Sequence, residues 1–392
     1  MEANHQSTSR VFETPDLGDE EDAALGRIEE LRRQLRFYVA EPRRWVGVVA
    51  RVLRAEAIRG SNSIEGFHVS VEDALAALGS EAPTEAAGAD WNAVMGYRRA
   101  MTYVLQLADD EHFRFSPDLI RGLHFMITEY DLDARPGRWR GGPIWVRNDG
   151  TGEVVYEGPE YELVPGLVDG LVLQLEADKG DAMVRGAMAH LNLAMIHPFR
   201  DGNGRMARCL QTLVLAREQI LAPEWSSIEE YLGVNTADYY RLLAEVGQGA
   251  WNPGNDARPW IRFCLEAHFV QASSVLRRVK ESEAIFNAVD EIREQHKLHE
   301  RTLPNLFDAA IGLRLRNASY RSNVEQFEAG DGISHQVATN DLRTLTELGL
   351  LEKHGEKRAT YYLGAPRLRE IAAEVRGGRR PIDASGLFDP AG

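Results

Sequence analysis

Helical periodicity runs through most of the chain and restricts its fold class. Between residues ~20 and ~300, apolar side chains recur every three or four positions, a spacing typical of amphipathic α-helices. One such stripe consists of Leu25, Ile28, Leu31 and Leu35. The same spacing predicts helices at 42–66, 70–80, 86–108, 116–129, 160–178, 181–197, 204–220, 236–247 and 257–300. The sequence therefore predicts a mainly α protein.

One segment breaks the helical rule. Residues 143–158, PIWVRNDGTGEVVYEG, alternate apolar and polar side chains on both sides of a turn-forming Asn-Asp-Gly, which predicts a β-hairpin. We expect the hairpin to pair only with itself and to leave an edge to which an extended peptide can add as a strand. A loop without this role is the alternative. The candidate docking residues are Ile144, Val146, Val154 and Tyr156.

After residue ~300 the pattern changes to three short helices followed by two strands that join at 354–356. This order is typical of a winged helix-turn-helix, whose third helix enters the major groove of DNA. Here the third helix carries His335 and Arg343 against Asp341 and Glu347. Because that helix is barely basic, we expect protein contact or dimerisation there in preference to DNA binding.

Composition excludes several classes of protein. The 60 acidic residues outnumber the 45 lysines and arginines, and a net charge of −15 argues against a surface that binds nucleic acid as a whole. No apolar run approaches the ~20 residues that span a bilayer, and the first residues lack the apolar core of a signal peptide. Cys209 and Cys264 have no metal or disulfide spacing. We therefore expect a cytoplasmic protein without a membrane partner.

The stretch HPFRDGNGRMAR, residues 197–208, interrupts two helical runs. Pro198 disfavours a helical residue before it, so the first helix should end at about His197 and present its imidazole there. The Gly-Asn-Gly at 202–204 then opens the next helix. Glycines allow the backbone to approach a ligand closely, and the amide groups at a helix N-terminus point toward one spot. This arrangement predicts an anion site, most naturally for phosphates.

Charged side chains flank the same turn. Arg205 and Arg208 lie three residues apart on one helix face, so both can reach the anion. Asp201 precedes the turn and can hold a divalent metal that bridges phosphates, and His197 can act as a general base. Taken singly, these residues fit a helix cap, an ordinary turn or a solvated face. Their combination within one short stretch favours a catalytic site.

The stretch HPFRDGNGR resembles the signature HPFx(D/E)GNGR of the Fic family at every fixed position, and Arg208 supplies the arginine of its longer form. The likeness extends over residues 40–270, with the hairpin at the place of the family's flap. It implies transfer of AMP from ATP to a hydroxyl of a target protein. A phosphorylating branch of the family carries lysine in place of the second glycine, whereas this chain retains Gly204.

The resemblance also implies a role for each residue of the motif. His197 would deprotonate the target hydroxyl, Asp201 would hold Mg²⁺ on the α- and β-phosphates, and Phe199 would pack beneath the site. The remaining residues would bind the nucleotide: the anion hole Gly202, Asn203 and Gly204, and the arginines Arg205 and Arg208. Tyr240, in a segment that resembles the family's adenine-side segment, would border the base. Gly247 stands where some relatives have asparagine, so UTP or another nucleotide donor stays open.

A second motif, SNSIEG at 61–66, fits an ordinary helix C-terminus with Gly66 as its cap. It also resembles the family's inhibitory motif (S/T)xxxE(G/N), in which Ser61, Glu65 and Gly66 occupy the fixed positions. In relatives the glutamate pairs with the second arginine of the catalytic motif, here Arg208. A carboxylate and a γ-phosphate would compete for one guanidinium, so the resemblance implies self-inhibition.

Together these observations predict a Fic-type helical bundle with a β-hairpin flap and a small C-terminal winged helix-turn-helix. Self-modification and a homodimer are further expectations. The alternatives are removal of AMP from a modified target, a DNA-binding regulator that senses a nucleotide, and a scaffold with a degenerate site. We expect a disordered N-terminus at 1–20, an N-terminal helical region at 21–110, a Fic core at 111–270, a connecting helix at 271–300, a winged-helix-like domain at 301–365 and a flexible tail at 366–392.

Overall fold

The computed structural model describes residues 10–40, 44–79, 83, 85–147, 150–177, 180–218, 221–327, 332–357 and 360–390. Its first helices are α1 (Asp19–Ala40), α2 (Arg44–Ile64), α3 (Val71–Leu78), α4 (Gly88–Leu107) and α5 (Pro117–Thr128). The next are α6 (Val164–Ala177), α7 (Ala182–Ile196), α8 (Asn203–Arg217), α9 (Pro223–Ser226), α10 (Glu229–Val234), α11 (Thr236–Gly247) and α12 (Arg258–Gln295). The last are α13 (Leu303–Ala310), α14 (Asn317–Phe327), α15 (His335–Glu347) and α16 (Pro366–Arg376). Pro42, which the sequence places in the first turn of α2, lies outside the described residues.

Two consecutive helices, α7 and α8, form the centre of the molecule. Side chains are buried around nearly their whole circumference, as expected for helices enclosed by other helices. They pack closely against each other, and α4, α5, α6 and α12 surround them. The short link between α7 and α8 is the HPFRDG segment, so the burial of both helices fixes the position of the candidate catalytic residues. Among the described helices, none is both long and apolar enough to cross a membrane.

Helix α2 belongs to two parts of the structure at once. Its first half, with Trp45, Val49 and Leu53, shares an apolar cluster with α12, α13 and α15. Arg51 reinforces this contact with an ion pair of 2.6 Å to Asp308 of α13. The last turn of α2 lies next to the catalytic motif. The helix that carries the SNSIEG motif is therefore clamped by the C-terminal helices.

The flap hairpin forms as the sequence predicts, from antiparallel strands β1 (Trp145–Arg147) and β2 (Val154–Glu157), with an irregular register between Val146 and Arg147. Asn148 and Asp149 lie outside the described residues. The expectation that the hairpin pairs only with itself is wrong. The backbone amide of Glu157 donates to Gly249 O at 2.9 Å, and that of Trp251 donates to Glu157 O at 3.1 Å. The end of β2 is therefore already paired.

The C-terminal part follows the expected order, since α13, α14 and α15 precede strands β3 (Leu351–His354) and β4 (Tyr361–Gly364). The two strands pair antiparallel in continuous register. Ser334 caps α15 by accepting a hydrogen bond from the backbone amide of Val337. Helix α12 runs without interruption through residue 270, so the expected core and connecting helix are parts of one element.

Both termini are more ordered than expected, and the predictions of a disordered segment at 1–20 and a flexible tail at 366–392 need correction. Phe12 is only 1% exposed, and its backbone amide and carbonyl both bond to the Asn192 side chain. Residues 366–376 form α16, and Leu387 beyond it is buried. The N-terminal segment is anchored by the adjacent side chains of Val11 and Phe12, which leave no periodic pattern to detect, whereas Leu368 and Ala372 of α16 are buried at helical spacing. Residues 1–9 and 391–392 lie outside the described part.

Candidate active site

His197 lies immediately after α7, in the left-handed backbone conformation with φ 49°. Its Nδ1 is 3.1 Å from the carbonyl of Ala194, so the proton belongs on Nδ1 and Nε2 is left as the basic nitrogen. Burial lowers the pKa of His197 from its ordinary value. The imidazole is therefore neutral at pH 7, which is the form that a general base requires.

Arg140 holds this strained backbone from behind. Its Nε donates to the carbonyl of His197 at 2.9 Å, and its Nη1 donates to Gly142 O at 2.8 Å. Its backbone amide donates to Pro198 O, also at 2.9 Å. Since Gly142 and Pro159, another acceptor of this guanidinium, flank the hairpin, Arg140 connects the candidate base to the flap.

The side chain of Asn203 closes the turn at residues 202–204. Asn203 accepts a hydrogen bond from the amide of Phe199 and donates one to the carbonyl of the same residue, both at 2.9 Å. Gly202 caps α8 with φ 76°, and a Cβ there would approach Thr128 Cγ2 to 2.7 Å. Only glycine fits this position without strain. The first amide groups of α8 are thereby turned toward one point, as an anion site requires.

A second histidine supports the turn. His124 Nδ1 accepts from the backbone amide of Gly137 at 2.9 Å, so its Nε2 donates to the carbonyl of Asp201 at 2.8 Å. Its ring stacks on Phe199 with 3.6 Å between the ring centroids. Burial lowers the pKa of His124 to about 4, which keeps the ring neutral and this donor pattern intact. Phe199 thus packs beneath the site, as the resemblance implies.

Asp201 and Arg205 face each other across the turn. The Asp201 side chain is 57% exposed and lies 3.7 Å from Arg205 Nη2. Arg205 is buried, its Nη1 donates a hydrogen bond to Tyr130 Oη at 3.0 Å, and its guanidinium lies over the ring of Phe67. Among the described residues no group of three or more metal-ligating side chains occurs. One exposed carboxylate fits Mg²⁺, which commonly binds through one or two carboxylates and the phosphates of the substrate.

Arg208 and the end of α2 form the most extensive polar contact of the site. Arg208 Nε donates to Ser61 Oγ at 2.8 Å, and Nη2 donates to Ser61 O at 2.9 Å and to Glu65 Oε1 at 2.8 Å. Burial lowers the pKa of Arg208, but the Glu65 carboxylate together with the hydroxyls of Tyr239 and Tyr97 outweighs burial and raises the pKa above its usual value. The guanidinium is therefore charged and fully engaged.

The Glu65 carboxylate also lies directly against the first turn of α8. A Cβ at Gly204 would come within 2.2 Å of Glu65 Oε1, so the carboxylate uses the space that glycine leaves open. Gly66, with φ 80°, turns the chain away after α2, which allows Glu65 to reach this spot. The structure thus brings Ser61, Glu65 and Arg208 together with the candidate anion site.

Residues 114–215, which include the whole catalytic motif, match the Fic/DOC family. The chain contains a Fic domain. It is 30% identical over 179 residues to the protein adenylyltransferase fic-1 of Caenorhabditis elegans, which covers 44% of this chain and 31% of that protein. It is 27% identical over 206 residues to the protein adenylyltransferase Fic of Nematostella vectensis, covering 52% and 44% respectively. The chain therefore spans less than half the length of these curated relatives.

The structural likeness extends beyond the matched segment. The crystal structure of a Fic family protein from Desulfovibrio desulfuricans G20 superposes with a TM-score of 0.55 and 20% identity, covering 90% of this chain and 98% of that one. The prediction of a mainly α, Fic-type fold is therefore confirmed.

Outside the HPFRDGNGRMAR and SNSIEG motifs, the candidate residues are Tyr240 and the four residues of the flap, and they differ in exposure. Tyr240 is 43% exposed, and its hydroxyl donates to the carbonyl of Ile64 at 3.1 Å, so it borders the site beside the end of α2. In the flap, Val154 is exposed, and Ile144 and Val146 are half-buried.

The docking role predicted for Tyr156 is wrong for its side chain. Tyr156 is buried and its hydroxyl donates to Met195 O at 2.8 Å. It anchors the flap to α7, because a tyrosine at this register faces the core. The prediction that an extended peptide adds to the hairpin as a strand therefore applies to β1 (Trp145–Arg147).

Sequence reasoning missed His124, Arg140 and Tyr239. They stand alone in helical or loop segments, and no spacing marks them as partners of the motif. Tyr239 is buried and contacts Arg208 Nη1 at 3.4 Å, and it also binds His190 Nε2 at 2.9 Å. The one available signal for Tyr239 was its position next to Tyr240.

Proposed function

We propose that this Fic protein is a self-inhibited protein adenylyltransferase, which transfers AMP from ATP to a Ser, Thr or Tyr hydroxyl of a target protein or of itself. The observation that carries the proposal is the pairing of a neutral His197, with Nε2 as its basic nitrogen, and the adjoining N-terminus of α8. The names of the curated relatives support the same activity. A cytoplasmic location belongs to the proposal, since both cysteines are buried free thiols.

The reaction needs one proton acceptor and several positive groups. The target hydroxyl oxygen forms a bond to the α-phosphorus of ATP while the bond from that phosphorus to the bridging oxygen breaks, and pyrophosphate leaves. His197 Nε2 accepts the hydroxyl proton. The amide groups of the turn at 202–204 and the guanidinium of Arg205 stabilise the charge that develops on the phosphates.

Asp201 is the residue that would hold Mg²⁺. Its carboxylate is exposed, and its carbonyl is already bound by His124, so the side chain remains available at a fixed backbone position. The metal would neutralise charge on the phosphates of the nucleotide. Tyr240, at the border of the site, is the candidate neighbour of the base.

Inhibition follows from the placement of one carboxylate. Glu65 forms an ion pair with Arg208 and lies against Gly204, so its carboxylate would repel a nucleotide phosphate that binds Arg208. We propose that the γ-phosphate and Glu65 compete for this guanidinium. Release of Glu65 would then be the step that permits productive binding of ATP.

Mass spectrometry of a cell lysate tests the activity. The lysate is treated with ATP, Mg²⁺ and the Glu65→Gly protein, and peptides heavier by one AMP on a hydroxyl side chain are expected. The double variant Glu65→Gly, His197→Ala serves as control, because it keeps the released nucleotide site but lacks the base. Equal modification by both proteins, or none by either, would contradict the proposal.

A further inference from the structure

The Arg208 guanidinium contacts two separate parts of the molecule. Its Nε and Nη2 donate to the SNSIEG segment, where Ser61 Oγ, Ser61 O and Glu65 Oε1 are the acceptors. Its Nη1 donates to Tyr239 Oη of α11 at 3.4 Å. Nη1 also borders the candidate anion site, since a Cβ at Gly204 would lie 3.1 Å from it. Among the described side chains, Tyr239 is thus the hydrogen-bond partner of Arg208 that lies outside the SNSIEG segment.

The direction of each hydrogen bond around Tyr239 follows from the chemistry of its partners. A guanidinium can only donate, so the Tyr239 oxygen accepts from Arg208 and gives its own proton to His190 Nε2, 2.9 Å away. His190 therefore carries its proton on Nδ1, which lies 2.7 Å from Gln211 Oε1. Burial lowers the pKa of His190 to about 3, so the ring is neutral at pH 7 and Nε2 stays an acceptor. The chain thus directs a lone pair of Tyr239 toward Arg208.

This chain is anchored in the helical core. His190, Gln211 and Tyr239 lie on α7, α8 and α11, and all three are buried. The ring of Trp260, on α12, packs edge-on against His190 and Tyr239, with 4.9 and 5.7 Å between the ring centroids. Trp260 Nε1 in turn donates to Ala187 O at 2.8 Å. Since none of these residues belongs to α2, a movement of the SNSIEG segment breaks none of these contacts.

We propose that Tyr239 and His190 are positioning residues, which keep Nη1 of Arg208 at the anion site once the inhibitory carboxylate is released. They thereby present the guanidinium to the γ-phosphate, so this inference rests on the proposed function. The SNSIEG segment governs access to the arginine, whereas the chain from Tyr239 to Gln211 sets its orientation. Because ADP has no γ-phosphate, the binding of ATP depends on this orientation and the binding of ADP does not.

Calorimetric titration of the Glu65→Gly protein with ATP and with ADP, each with Mg²⁺, tests this role. Adding Tyr239→Phe deletes the hydroxyl and keeps the ring, over which the Arg208 guanidinium lies. We expect ATP to bind about 3- to 10-fold more weakly, as for the loss of one hydrogen bond. The factor is modest because Ser61 still holds the other guanidinium nitrogens. ADP affinity should stay unchanged.

A second variant, His190→Phe, removes the acceptor of the Tyr239 proton and keeps an aromatic ring. The hydroxyl can then turn its proton toward Arg208, so we expect ATP affinity to fall and ADP affinity to stay unchanged. If Tyr239→Phe does not fold, this variant carries the same comparison. The matched control is Tyr320→Phe, which deletes another buried tyrosine hydroxyl, bound to Asp341 Oδ2 at 3.2 Å in the C-terminal part. It should alter neither affinity.

The two ligands separate orientation from packing. A role of Tyr239 in packing alone would weaken ATP and ADP alike, and that result, or no change for either ligand, overturns the proposal. Binding is measured without transfer, so an ATP–ADP difference in a protein that transfers no AMP would reject the proposed function and leave this inference standing. Intact AMP transfer without the ATP–ADP difference would reject this inference alone.

Discussion

Replacement of Glu65 by glycine should strengthen ATP binding by a factor that the structure allows us to estimate. The substitution removes the 2.8 Å ion pair between Glu65 and Arg208, in which the glutamate side chain is 21% exposed and the arginine fully buried. A hydrogen bond between charged groups contributes about 1.5–3 kcal/mol. Under the proposed competition ATP displaces this contact in the wild-type protein, so its removal corresponds to roughly 10- to 100-fold tighter binding. Glu65 lies beyond the last residue of α2, so the glycine does not interrupt a helix.

Calorimetric titration of both proteins with ATP and Mg²⁺ measures the difference directly. Two further variants separate the causes. Glu65→Gln removes the charge but keeps the bulk next to Gly204, so it should recover only part of the gain. Ser63→Gly adds the same backbone freedom to the last turn of α2 and should leave ATP affinity unchanged, because among the described residues the Ser63 side chain bonds only to Gly60 O. Equal affinity of the wild-type and Glu65→Gly proteins would refute the reasoning.

Further predictions concern the base and the inhibitory helix. Arg140→Ala removes the support of the His197 backbone, so the AMP-transfer rate of the Glu65→Gly protein should fall about 10- to 100-fold. Its ATP affinity, measured by calorimetry, should not change. A weakened affinity with an unchanged rate would count against this role of Arg140. Burial lowers the pKa of His197 below its ordinary 6.5, and the neutral ring is the form that acts as the base. The acid limb of the pH–rate profile should therefore have its midpoint below pH 6.5. A midpoint above that value would be contrary evidence. Gly60→Ala places a methyl group against Glu229 O and should lower the free energy of unfolding by about 1–3 kcal/mol in thermal denaturation. The control Gly47→Ala lies in the same helix with open space around its Cβ and should not destabilise the protein. Similar losses for both variants would contradict the packing argument.

The arrangement of the HPFRDGNGRMAR segment between two helix ends was predictable because the signals for it are local. His197, the glycine turn and Arg208 follow one another within two adjoining helix ends, and proline and glycine mark those ends in the sequence. The pairing of Glu65 with Arg208, 143 positions apart, was accessible only through the resemblance to the inhibitory motif. Periodicity places Glu65 at a helix end and says nothing about which helix that end will meet.

The supporting residues of the site were not predictable for the same reason. His124 and Arg140 act mainly through hydrogen bonds to backbone groups, and a lone histidine or arginine carries no spacing that identifies such partners. Tyr156 alternates correctly within its strand, yet which face of the hairpin meets α7 depends on tertiary packing. Phe12 and its neighbour Val11 are the buried apolar side chains at the start of the described chain, and two adjacent anchors produce no period.

The most direct test of the account is the fate of two labels on ATP. The Glu65→Gly protein is incubated with a target-containing lysate and ATP that carries the label either on the α-phosphate or on the γ-phosphate. Adenylyl transfer predicts that protein acquires the α-label and not the γ-label, that His197→Ala abolishes the signal, and that the wild-type protein gives a much weaker one. Incorporation of the γ-label, or equal α-label with wild-type and Glu65→Gly protein, would contradict the account.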